Sequence, residues 1–299
     1  MKGIINIDKP QGFTSHDCVA VVRRLTGVRR VGHTGTLDPM ATGVLPVCVG
    51  NATRIMEYLD NDVKEYDCTM QLGIETDTCD TTGKVISRSD LRGITPAEIE
   101  RAFSGFHGEI SQIPPKYSAI KVNGRKLYEY ARSDQSVEIK PRRVTIFDLR
   151  IEEIAGDSIR FTVRCSRGTY IRSICRDVGR ILGCGAAMSA LCRTQSGIFR
   201  LQDAIGIHDL REMSAEEIAG ILIPVDKPLG DFGRIVVGRD QAKDFIDGKS
   251  IPFGRDQVPE ETAVAGRYRL YRGADFIGVG DIDEQGRLKA DKVFNTELK

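Results

Sequence analysis

Residues 32–50, GHTGTLDPMATGVLPVCVG, set one carboxylate, Asp38, among four glycines and two prolines in a stretch that holds no lysine or arginine. Pro39 disfavours helical geometry at the residue before it, so Asp38 is presented from an extended segment. Gly32, Gly35 and Gly43 permit positive φ and close approach of neighbouring backbone. The apolar run Val44–Val49 that follows suits a buried strand. A carboxylate fixed at the entrance to a buried strand is one way to mount a nucleophile or a general base. A turn aspartate beside a proline with purely structural duty looks the same, and these residues alone leave both readings open.

A second chemical signal is arginine. Six arginines and a single acid, Asp177, fall between Arg160 and Arg180, and Arg23, Arg24, Arg29 and Arg30 cluster just before the glycine-rich segment. On a chain of net charge +1, such clusters mark either a localized phosphate-binding face or a solvated helix surface. Bulk charge makes no case for nucleic acid.

Composition removes other classes. At 299 residues, 40% hydrophobic and 28% charged, the chain is long enough for two domains or one large one, with a sizeable core. No apolar stretch approaches the ~18 residues of a membrane span, and the opening Met1-Lys2-Gly3 leads into a strand-like GIINID without a signal-peptide core, so a cytoplasmic location is expected. The eight cysteines contain no CxxC pair and the four histidines no ligand spacing, which predicts reduced, mostly buried thiols and no metal site. Glu75, Asp77 and Asp80 before Gly83 lack the spacing and closing glutamate of a calcium loop and read as a structural loop. Neither a phosphate-binding GxxxxGK[ST] nor a dinucleotide fingerprint occurs.

The elements that must position these residues are partly legible. Ser15 is expected to cap a helix with Cys18, Val21, Val22 and Leu25 on its apolar side and Gly27 at its end. Thr95-Pro96-Ala97-Glu98 reads as a capping box with proline in the first turn, and Ser214 with Glu217 as another. Strands are expected at Glu65–Leu72, Val144–Ile151 and Ile159–Cys165. A helix is expected from about Thr169 to Leu182, with Ile171, Ile174, Val178 and Ile181 inward and Arg172, Arg176 and Arg180 on a separate face. Gly168 supplies the turn into it and Gly183 its end. Strands outnumber helices without βαβ alternation, so the fold class is α/β in the broad α+β sense, with a mixed, largely antiparallel sheet. Residues 110–140 are polar and turn-rich, open to two readings: a segment that closes over a ligand, or a surface insertion. From about residue 229 to 299 the chain reads as a small β-rich second domain, with a helix at Arg239–Asp247, strands in RYRLYR and DFIGVGDI and a turn at Asp283–Gly286.

The glycine-rich segment with Asp38 closely resembles the signature of the bacterial tRNA pseudouridine-55 synthase (TruB) family. The resemblance extends in order over about residues 3–200: GIINIDKPQGFTSHD, KEYDCTMQLGIETDTCDTTG, IPPKYSAIKVNGRKLYEYAR and CSRGTYIRSICRDVG each resemble a family block. The tail more distantly resembles a PUA-like RNA-binding domain. The resemblance implies a pseudouridine synthase fold with a central RNA-binding cleft over residues 1–228, a thumb-like RNA-contacting insertion at about 110–140, and a PUA-like domain at 229–299. The implied reaction isomerises one uridine in the T loop of tRNA, with no cofactor.

By the same resemblance Asp38 is the catalytic carboxylate, acting as nucleophile or as base, and Arg172 is its partner. Tyr66 is the aromatic that stacks on the flipped base. His33 fills the space the nucleotide leaves, and Tyr170 and Leu191 line the uracil pocket. Lys9 and Pro10 support the pocket wall. Arg176, Arg180, Lys121 and Arg125 are the expected RNA contacts. As bare residues, His33 reads equally as a turn hydrogen-bonder, and Tyr66, Tyr170 and Leu191 as packing.

tRNA through its T stem-loop is the expected partner, with no membrane, no obligatory protein partner and a monomeric chain. Two alternatives share the motifs: a non-catalytic tRNA-binding folding chaperone, and the guide-RNA-dependent pseudouridylase subunit. Because the first motif begins almost at the N-terminus and the thumb-like insertion is present, the independent enzyme is the expected form.

Overall fold

The computed structural model describes residues 1–59, 63–133, 135–253 and 265–294. Residue 134 of the expected insertion, and 254–264 and 295–299 of the expected second domain, lie outside the described residues.

The chain is built on a ten-stranded mixed sheet. Across it run Ile205–Gly206, Gly3–Lys9, Thr42–Val49, Ala186–Ser196, Lys64–Leu72, Ser158–Cys165, Arg142–Ala155 and Gly108–Gln112, with Val31–His33 beside Thr42–Val49 and Phe199–Arg200 beside Ala186–Ser196. Pairing is antiparallel except at Ile205–Gly206 and between Thr42–Val49 and Ala186–Ser196. That last parallel contact joins Thr42 and Gly43 to Cys192 and Arg193, immediately after the loop that carries Asp38.

Strand patterning follows burial. Lys64–Leu72 alternates strictly, with Lys64, Tyr66, Cys68, Met70 and Leu72 inward and the intervening residues half-buried, as a sheet with one covered face requires. Thr42–Val49 instead is covered on both faces. Leu45, Val47 and Val49 enter one core with Ile5, Ile7 and the helix Ser15–Thr26, while Val44 and Cys48 enter another with Ile4, Ala52 and Ile55. This is the continuous apolar run that the sequence presents.

The largest core packs the helix Ile171–Ile181 and the helix Pro96–Ser104 onto Lys64–Leu72 and Ser158–Cys165. The capping boxes at Thr95/Glu98 and Ser214/Glu217 form as the sequence predicts, and Gly27 ends the first helix at φ 66°. Its N-cap, however, is Thr14, whose hydroxyl and Asp17 cap reciprocally. Ser15 lies one residue inside and turns its hydroxyl to the backbone of Leu37.

Two expectations for Ile171–Ile181 also change. Ile181 is 62% exposed, because the buried stripe runs through Ile171, Ile174, Cys175 and Val178 toward Leu182. The arginines do not form one solvated row either: the side chains of Arg172, Arg176 and Arg180 are 6%, 12% and 61% exposed. Each four-residue step rotates about 40° around the helix, enough to carry the series from the core edge into water.

From Gly233 onward a second, five-stranded sheet follows, in the order Gly233–Val236, Gly266–Arg272, Asp275–Ile282, Arg287–Val293 and Ile251–Pro252. Its own core gathers Phe245 and Ile246 of the helix Arg239–Ile246 with Leu270, Ile277 and Leu288. Gly278 and Gly280 make room for the Phe245 ring, since a Cβ at either would lie within 3.0 Å of it. Val279 and Phe294 face the main body, in the same core as Ile4, Val44, Ile55 and Leu59. Each such side chain fully buried contributes about 1.5–3 kcal/mol. A polar rim continues the seam, with Lys292 on Glu57 at 2.8 Å and Tyr58 donating to Asp291.

Candidate active site

Asp38 sits on a loop held from several sides. Ser15 Oγ accepts from the Leu37 amide at 2.9 Å and donates to its carbonyl at 3.1 Å. Gly12 donates to the Pro39 carbonyl at 2.8 Å, and Ala41 closes a turn onto the Asp38 carbonyl at 3.1 Å. Lys9 is fully buried and spends its ammonium on main-chain oxygens: Phe13 at 2.6 Å, Pro10 at 3.0 Å and Pro39 at 3.4 Å. Burial lowers its pKa. The opening block of the sequence therefore shapes the loop from beneath.

The carboxylate faces a cleft of about 790 Å³. Arg172 meets it, with Nη2 3.0 Å from Asp38 Oδ2. The same guanidinium donates to the carbonyls of Thr78 and Tyr117, both at 3.0 Å, and reaches Asp80 Oδ2 at 3.4 Å. Its donors are thus shared between two carboxylates and two carbonyls, and its position is fixed. Asp38 keeps 37% of its side chain open, and that opening is the cleft. Desolvation pushes its carboxyl above the ordinary carboxylate value, Asp80 adds to the rise, and Arg172 and Lys9 oppose it.

Asp80 is one site residue that sequence reading misses. Read only as part of a structural loop, it is 4% exposed and accepts from Thr78 Oγ1 at 2.8 Å and the Thr82 amide at 3.1 Å. The run TDTCDTT holds these hydroxyl donors, but nothing in its spacing points to an arginine 92 residues on.

Of the residues singled out in the sequence, Asp38, Arg172, Tyr66, Tyr170 and Leu191 line this cleft together. Tyr66 is 9% exposed; burial raises its phenol pKa, and Arg193 opposes that rise. His33 is not among the lining residues. Its ring meets His16 edge-on at 5.3 Å, its Nδ1 is buried without a partner, and burial pushes its pKa down to about 4.

Arg176, Arg180, Lys121 and Arg125 lie outside the cleft lining as well. Arg176 is engaged internally, with Asp177 at 2.7 Å and the Ile113 carbonyl at 2.9 Å. Lys121 and Arg125 belong to the two-stranded hairpin around Asn123-Gly124, where Arg125 stacks on Tyr130 at 4.6 Å. The insertion still touches the site: Tyr117, Ser118 and Tyr128 form part of the wall.

The cations at the cleft wall are Lys64, Arg142, Arg143 and Arg167, with Arg172 and Arg193 buried behind the surface and bonded within the protein, against one carboxylate, Asp38, among the described residues. Four tyrosines, 66, 117, 128 and 170, interleave with them. Positive charge tracks phosphates and aromatic faces accept bases, the pairing that single-stranded nucleic acid requires. Among the described residues no group of three or more His, Cys, Asp or Glu side chains gathers as for a metal. No helix among them is long and apolar enough to cross a membrane.

Sheet, cleft and lone carboxylate place the molecule in the class of pseudouridine synthases. It superposes on a chain of a Cbf5–Nop10–Gar1 complex with TM-score 0.74 and 26% identity, covering 98% of this chain and 85% of that one. It matches a chain of an H/ACA RNP bound to a substrate RNA containing 2′-deoxyuridine with TM-score 0.71 and 25% identity, at 98% and 85% coverage.

Within that class the family is definite. Residues 23–171 match the TruB family pseudouridylate synthase N-terminal domain, 172–230 the tRNA pseudouridylate synthase B C-terminal domain, and 234–294 the C-terminal domain of pseudouridine synthase II TruB. The tRNA pseudouridine synthase B of Alkaliphilus oremlandii is 46% identical over 94% of this chain and 93% of its own length. Those of Clostridium novyi and Clostridioides difficile are 42% and 41% identical over 98% of this chain and 99% and 100% of theirs. The chain belongs to the TruB family of pseudouridylate synthases.

Proposed function

We propose that this protein is a tRNA pseudouridine synthase that acts on the T-loop uridine with Asp38 as its catalytic carboxylate. The observation that carries the reading is the Asp38–Arg172 contact at 3.0 Å inside a cleft lined by cations and tyrosines. The full-length relatives named tRNA pseudouridine synthase B support tRNA as substrate.

A uridine within a folded loop must leave its stack to reach Asp38, and the Tyr66 face receives the extruded base. Stacking of this kind is worth ~1–3 kcal/mol per base. In the isomerisation the bond from N1 to ribose C1′ breaks and one from C5 to C1′ forms. C5 gives up its proton and N1 gains one, so atoms balance without redox change or hydrolysis. Asp38 assists as an ionised carboxylate, by attack on the nucleoside or by removal of a sugar proton. Arg172 keeps it charged where desolvation favours the neutral acid. Tyr170 and Leu191 bound the pyrimidine, His33 fills the space the extruded nucleotide leaves, and the 110–140 insertion and the 229–299 domain extend the RNA contact. The reading includes a monomer working in the cytoplasm.

Mass-spectrometric mapping of unmodified tRNA after incubation with the chain alone tests this. Pseudouridine at one T-loop position is expected; unchanged tRNA sinks the proposal. A guide-RNA-dependent subunit would likewise leave bare tRNA unchanged. The basic cleft also favours a second, coexisting role in tRNA folding, which Asp38→Asn should retain.

A further inference from the structure

Arg193 stands between the two elements on which the proposed chemistry depends. In the sheet it registers with Gly43 on one side and with Tyr66 on the other. It is 1% exposed, and its guanidinium donates to two main-chain oxygens. Nε donates to the Val44 carbonyl at 2.7 Å and Nη2 to the Gly35 carbonyl at 2.8 Å. Gly35 precedes the Asp38 loop and Val44 follows it, so one planar cation ties the loop's entry to its exit. The guanidinium fork sets its donors at fixed angles, and the two carbonyls are thereby held in one relative position.

The glycines at the loop's ends fit the same arrangement. At Gly43, φ 96°, a Cβ would lie 2.3 Å from the Arg193 carbonyl oxygen, and at Gly35, φ 67°, it would lie 3.0 Å from Arg193 Nη1. Backbone on one side and guanidinium on the other leave no space for a side chain. Arg193 also bears on the Tyr66 phenol, countering the effect of burial there. Burying a guanidinium costs stability unless hydrogen bonds offset its lost hydration, and here the Val44 and Gly35 carbonyls supply them.

We infer that Arg193 is a positioning residue that staples the Asp38 loop shut and sets it against Tyr66. The inference rests on the pseudouridine-forming reading for its catalytic consequence, but not for the staple itself. Misplacing a reacting group by about 1 Å costs about 100-fold in rate, which sets the expected effect.

Hydrogen exchange and single-turnover kinetics test it together. In the wild-type protein the amides of Leu37 and Ala41 are expected to exchange as slowly as core amides such as that of Met70. Exchange at surface-loop rates would overturn the staple with no variant needed. Arg193→Lys keeps the charge without the fork, and Arg193→Gln keeps hydrogen-bonding capacity without the charge. Both are expected to speed exchange across residues 35–44. Both should also slow conversion of a saturating T stem-loop RNA about 100-fold, with RNA affinity within about threefold of wild type. A wild-type rate in either variant, or an affinity loss as large as the rate loss, would overturn the inference. If wild-type protein made no pseudouridine, the functional reading would fall, and the exchange measurements would still decide the staple.

Discussion

Arg172 approaches Asp38 at 3.0 Å while its other terminal nitrogen faces Asp80 at 3.4 Å. One buried cation therefore lies between two carboxylates that differ in surroundings. Asp80 is 4% exposed and tied into its own loop by threonines, whereas Asp38 opens to the cleft. Under the proposed function, Asp38 is the acid open to a substrate, while Asp80 faces only the arginine and its own loop.

The charges around Asp38 can be separated by titration. Desolvation and Asp80 raise its pKa and Arg172 lowers it. Carbon-detected NMR of the Asp38 carboxyl should show a midpoint above the ordinary value of 3.8. Arg172→Met is expected to move the midpoint further up, and Asp80→Asn to move it down. Shifts of the same sign in both variants would contradict the assigned causes.

The raised pKa also has a stability consequence. A carboxyl with a folded pKa above its unfolded one contributes most below the unfolded value, and that contribution is lost as pH rises through the folded value. Asp38→Asn, which mimics the neutral acid, should therefore match or exceed wild-type stability at pH 7, with any gain vanishing toward pH 3. Urea unfolding at both pH values measures this; a variant less stable at pH 7 than at pH 3, relative to wild type, contradicts it.

Arg176 and Arg180 share a helix but not a role. Arg176 is 12% exposed and engaged with Asp177 and the Ile113 carbonyl. Arg176→Ala is expected to lower unfolding free energy by about 1–3 kcal/mol and to leave the salt dependence of RNA binding unchanged. Arg180, 61% exposed and 4.0 Å from Glu75, should cost less than about 1 kcal/mol on replacement. Equal destabilisation by the two changes would argue against this division.

His33 should be neutral at physiological pH. Burial pushes its pKa from 6.5 to about 4, so between those values the unfolded chain binds a proton that the folded chain does not. Its contribution to stability is complete above about 6.5 and is lost as pH falls toward about 4. Proton NMR of the imidazole should give a midpoint near about 4; a midpoint above 6 would show that the ring is solvated.

What the sequence makes legible is local. The period-two pattern of Lys64–Leu72, the capping boxes at Thr95 and Ser214, and the apolar run after Asp38 each express their structure within a few residues. Capping is less legible at Thr14, where two adjacent hydroxyl residues compete and the reciprocal bond with Asp17 decides. The role of Ile181 turns on a helical phase that ends at the helix terminus. Asp80 and Arg193 stay hidden because tertiary packing brings loop segments to distant arginines, 92 residues away for Asp80 and Arg172 and 158 for Gly35 and Arg193. Asp38, Tyr66 and Arg172 stand out through family resemblance, and their proximity emerges only from the fold.

The most direct test of the account is single-turnover reaction of Asp38→Asn with saturating, unmodified T stem-loop RNA, read by mass spectrometry beside wild type. The expected result is full conversion of one uridine by wild type and none by the variant, with RNA affinity within about threefold. Pseudouridine formed by Asp38→Asn at a rate near that of wild type would contradict the assignment of the chemistry to this carboxylate.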